Sequence, residues 1–131
     1  VNTVENINNH IEEQILGLDV SIQKFHKTMQ ERGIEHALVW HAETVLEQVS
    51  LKEMLEQVKR GAEEQKSTQG LLEYLRERRA SAVQNHLIDQ KPWRHNSSSL
   101  MSHVESLALA SALAELTKLL GRWIAYTELN P

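Results

Sequence analysis

From Val4 to Met29 the chain places an apolar residue at every third or fourth position: Val4, Ile7, Ile11, Ile15, Leu18, Ile22, Phe25 and Met29. An α-helix gathers such a series onto one face, and a strand does not. The intervening positions are polar, among them Glu12, Glu13, Gln14, Gln23, Lys24 and Lys27. The helix therefore has one face to bury and one to leave in water. It would extend about 40 Å at the helical rise per residue. Only partners of similar length cover such a face, so the stripe selects a helical bundle. Thr3 is the expected N-cap, with Asn6 three residues on. Gly33, following Glu31 and Arg32, is the expected terminator.

A second segment runs from Ile34 towards Gln65. Ile34, Leu38, Ala42, Val45 and Val49 form its first stripe, and Leu51, Met54, Leu55, Val58 and Ala62 continue the apolar pattern. Between the two, Ser50 and Glu53 read as a capping box. Two readings follow, a single helix kinked near Ser50 or two helices broken there. The single helix is favoured because neither Gly nor Pro enforces a stop at that point. Gly61, then Ser67, Thr68, Gln69 and Gly70, mark the next turn, after which a third helix is expected from Leu71 to about Ile88 on Leu72, Leu75, Val83 and Leu87. The one long loop covers 89–99 and holds Pro92, which biases Lys91 away from helix. A last helix from about Ser98 to Glu128 is apolar on more than one face and carries Ala108, Ala110, Ser111, Ala112 and Ala114. That pattern fits a central helix, or one that also meets a second chain. The expected architecture is all-α: one domain, 1–131, forming a four-helix bundle in up-down antiparallel order.

Composition supports this. Hydrophobic residues at 40% and charged residues at 24% are ordinary globular values, which argues against disorder. Five Gly and two Pro are too few for the turns of a β protein. Cysteine is absent, which removes disulfides, thiolate metal sites and a thiol nucleophile. No apolar run reaches the ~18 residues of a membrane span, so no membrane insertion is expected, and a cytoplasmic location is the default. The net charge of −4 is uneven. Residues 1–69 carry seven Lys/Arg against twelve Asp/Glu, whereas residues 70–96 carry five against three.

The chemistry-bearing patterns are sparse. There is no phosphate-cradling Gly loop, no nucleophile elbow and no His-Glu-x-x-His. None of the seven histidines follows a Glu by three residues, as di-iron bundles require. In up-down order one end of the bundle gathers His26, His36, His41, His86, His95 and His103, together with Trp40, Trp93 and Glu43, and leaves His10 at the other. His41, His86 and His103 are the candidate metal ligands there, with Glu43 or Glu105 in support. The same imidazoles would make a ligand- or pH-sensing end. Glu53 and Glu56 form a Glu-x-x-Glu pair, an alternative metal site for a Mg²⁺-dependent nucleotide hydrolase. Against each stands the plain reading of polar helix ends and a solvated Glu-rich face.

The basic edge is the remaining feature: Arg76, Arg78, Arg79, Lys91, Trp93 and Arg94. Arginine and tryptophan are enriched in protein-binding hot spots. They also grip a phosphate backbone and stack a base, although an acidic chain is a poor nucleic-acid binder. The expected function is a non-enzymatic interaction module, an adaptor, regulator or accessory factor, that binds a protein partner through this edge. Homodimerisation through the first or last helix is a further expectation. No cofactor is expected.

Overall fold

The computed structural model describes residues 2–89 and 100–131; of residues 34, 36–41, 88, 89 and 100–103 it describes the backbone alone. Four helices follow one another: α1 (Thr3–Arg32), α2 (Ile34–Glu63), α3 (Thr68–Asp89) and α4 (Leu100–Leu129). They form a four-helix bundle. The Lys59–Glu12 ion pair and the Lys52–Asp19 ion pair at 2.8 Å set α2 antiparallel to α1. Arg76 to Glu128 at 3.0 Å, with Arg79 against Gly121, does the same for α3 and α4. The order is therefore up-down-up-down, and α1 runs in the same direction as α3. α1 packs chiefly on α2 and α3 on α4, and the two hairpins join mainly through α2 against α4. Ala108 and Ala112 of α4 are buried in that arrangement, where small residues allow helices to lie close.

The ends follow from local chemistry. Asn2, not Thr3, caps α1: its Oδ1 accepts from the Val4 N–H at 2.9 Å. The Thr3 hydroxyl instead donates to the Asn130 carbonyl at 2.6 Å, tying the start of α1 to the end of α4. Gly33 alone separates α1 from α2. Its φ of 91° lies in the region that favours glycine, and its N–H donates to the Met29 carbonyl at 2.9 Å. α3 begins three residues earlier than expected because Ser67 caps it, its hydroxyl accepting from the Gly70 N–H at 3.1 Å. At Gly61 the α2 backbone meets α3: the Tyr74 ring fills the space a Cβ would take, and its hydroxyl donates to the Val58 carbonyl at 3.2 Å.

α2 runs through Ser50 without a break. What changes there is the apolar face. Leu51, Leu55, Val58 and Ala62 are buried, and the same face continued backwards is Thr44, Glu47 and Gln48. The earlier stripe, Ala42, Val45 and Val49, lies roughly 140° around the helix and is only half-buried. Among the described residues the largest fully buried side chains lie towards the end where α1 begins. Ile7, Ile11, Leu55, Leu71, Leu75 and Leu120 are among them. Towards the other end burial thins: Val83 and Leu87, expected in the core of α3, are exposed. Leu72 and Leu75 are buried as expected, and Leu71 and Ala82 join them in the core.

Candidate functional site

The basic edge does not form one patch. Arg76 and Arg79 turn towards α4, where Arg76 pairs with Glu128 and the Arg79 guanidinium lies over Gly121, within about 4 Å of where a Cβ would stand. Arg79 makes no ion pair or hydrogen bond among the described residues. Arg78, one residue away, points to the α2 side, where its charge acts on Tyr74. Burial raises the Tyr74 hydroxyl above its ordinary pKa, Arg78 opposes this, and Glu64 adds to it. Lys91, Trp93 and Arg94 lie outside the described residues.

Arg76 and Arg79 border a groove between α3 and α4. Ala80, Val83 and Leu87 from α3 and Ile124 from α4 supply its apolar surface, and Gln84 and Glu128 complete its lining. Val83 is 39% and Leu87 59% exposed, too much for core residues of these types. The helical spacing explains it. Leu71, Leu72, Leu75 and Ala82 are the buried residues of α3, whereas Val83 and Leu87 lie on a second stripe turned towards the outer side of α4. The sequence carried this signal as two interleaved stripes, which the expectation of a single one merged.

A second groove, between α1 and α2, is polar. Asp19, Glu12, Glu56 and Glu63 alternate there with Lys52, Lys59 and Arg60. The hydrogen bond that Lys52 donates to Asp19 holds its ammonium above the ordinary pKa, and the bond that Lys59 donates to Glu12 does the same for Lys59. Glu56 lies 4.0 Å from Lys52 and Glu53 is exposed. A divalent cation needs several oxygens converging on one point, and here the carboxylates are interleaved with cations. The topology brings together the helix ends that carry most of the histidines. His26 is exposed and His86 half-buried, and the side chains of His41 and His103 lie outside the described residues. Among the described residues no group of three or more His, Asp or Glu could hold a metal ion. His10, at the far end, leans on Tyr126 with ring centroids 6.2 Å apart.

No family model matches this chain, and no curated protein or solved structure is similar to it. Among the described residues no helix is long and apolar enough to cross a membrane.

Proposed function

We propose that the protein is a non-enzymatic interaction module, an adaptor, regulator or accessory factor, that binds a protein partner in the groove between α3 and α4. The supporting observation is the combination of exposed Val83 and Leu87 with the uncommitted Arg79 guanidinium beside them. Apolar anchors give an interface its affinity by leaving water, and an arginine at the margin gives it direction. The groove surface is largely aliphatic, which suits the apolar face of a partner helix. A phosphate backbone would instead need a row of free cations, and Arg76 is already neutralised by Glu128.

Capture from the native source tests this reading. The wild-type chain is expected to retain a protein that both Val83→Asp and Arg79→Glu lose, while Glu53→Gln, on an exposed site away from the groove, retains it. Equal retention by all four chains would contradict the groove. Mg²⁺-dependent nucleotide turnover abolished by Glu56→Ala would contradict the non-enzymatic reading itself.

A further inference from the structure

We infer that the groove between α3 and α4 takes the outer face of α1 from a second copy of this chain, so that copies associate head to tail. The inference rests on the reading of that groove as a docking surface and names its occupant. The matching surface is on the same molecule. Leu16 is 55% and Val20 53% exposed on α1, one turn apart, and no atom lies within 4 Å of where a Cβ on Gly17 would stand. From Thr3 to Gln23 the helix carries Glu5, Glu12, Glu13 and Asp19 and no lysine or arginine. Across the bundle, Arg79 borders the groove without an ion pair among the described residues, Arg76 is paired with Glu128, and α4 adds exposed Lys118 and Arg122. On its α2 side Leu16 also meets Lys52, Lys59 and Arg60, which offset Glu12 and Asp19, so the complementary charges are Glu13 beside Leu16 and Val20, and Arg79 beside Val83 and Leu87.

The spacing agrees as well as the charge. Glu12, Leu16 and Val20 recur at intervals of four, and so do Arg79, Val83 and Leu87. Laid parallel in that register, the two helices set Leu16 on Val83, Val20 on Leu87 and the Glu12–Glu13 pair beside Arg79. Glu12 already shares its charge with Lys59, which leaves Glu13 as the free acid. Because α1 and α3 run in the same direction within the bundle, a neighbour reaches this register without being turned end over end. Two-fold alternatives are penalised by charge: groove on groove brings arginine to arginine, and α1 on α1 brings Glu13 to Glu13. The contact is heterologous, so it closes into a ring or grows as a chain.

Sedimentation equilibrium of the full chain decides it. The average mass of the wild type should rise with concentration. Val20→Asp spoils only the α1 face and Val83→Asp only the groove, and each should weaken association at least about tenfold. Mixed, the two should form a 1:1 dimer and stop there, because each variant keeps one good face. Both positions are exposed, so unchanged circular dichroism is expected; should either unfold, Glu13→Arg and Arg79→Glu repeat the test, weak alone and restored together. Three results would overturn the inference: a wild type that stays monomeric up to about 1 mM, weakening by Val83→Asp but not by Val20→Asp, or no recovery on mixing. A monomeric wild type whose captured partner is still lost on Val83→Asp overturns self-association and leaves the groove reading intact.

Discussion

Gly17 and Gly61 are both helical glycines, and their surroundings give them opposite roles. Nothing lies near Gly17, so its missing side chain leaves backbone freedom that folding must remove. Gly17→Ala is expected to stabilise the protein by about 0.5–1 kcal/mol. At Gly61 an added methyl would overlap the Tyr74 ring, which would have to leave the Val58 and Gln57 carbonyls it serves. Gly61→Ala is expected to cost about 1–3 kcal/mol. Urea denaturation of the two variants checks the pair, and a shift of the same sign in both would refute the account of α2–α3 packing. Neither role is readable from the sequence, which offers Gly61 as part of a turn although it lies within α2, against Tyr74. The difference arises only when α3 folds back and lays Tyr74 against α2.

At the scale of the element, the helices were legible in proportion to how simply their faces are used. α1 has one apolar stripe, and Ile7, Ile11, Ile15 and Ile22 are buried as its spacing dictates. α3 has two, and a single-face reading assigned Val83 and Leu87 to the core when they border the groove. In α2 the Ser50–Glu53 pattern marked a real discontinuity but not a helix end. Helical hydrogen bonding runs through it while the apolar face rotates, leaving Glu47 on the line of the core face. Burial raises the Glu47 carboxyl above its ordinary pKa, and the charges of Glu115 and Glu43 raise it further. The folded chain then holds a proton there that the unfolded chain has released, so stability from this group grows as pH falls from the folded pKa towards about 4. Glu47→Gln should therefore raise the melting temperature at pH 7, with the gain fading by about pH 4. A gain of equal size at both pH values would show that Glu47 acts through packing and not through its charge.

Among the described residues, burial is uneven along the bundle. Its core, its cross-helix hydrogen bonds from Thr3 and Asn6, and its buried Trp123 lie at the end where α1 begins and α4 finishes. The up-down order was legible because the connections are short and the stripes long. It does bring the histidine-bearing helix ends together, as the sequence implied. The groove was not legible as a site, since it exists only where α3 and α4 meet, from residues that look like core. It runs along the side of the bundle from the packed end, so a rigid scaffold presents Val83 and Arg79 to a partner. The most direct test places a photo-crosslinking amino acid at position 83, with position 53 as control, in the full chain in its native cells. The account predicts a discrete higher-mass adduct from position 83, whether with another copy or another protein, and none from position 53. No adduct at 83, or the same adducts at both positions, would contradict the claim that this groove is where the protein binds.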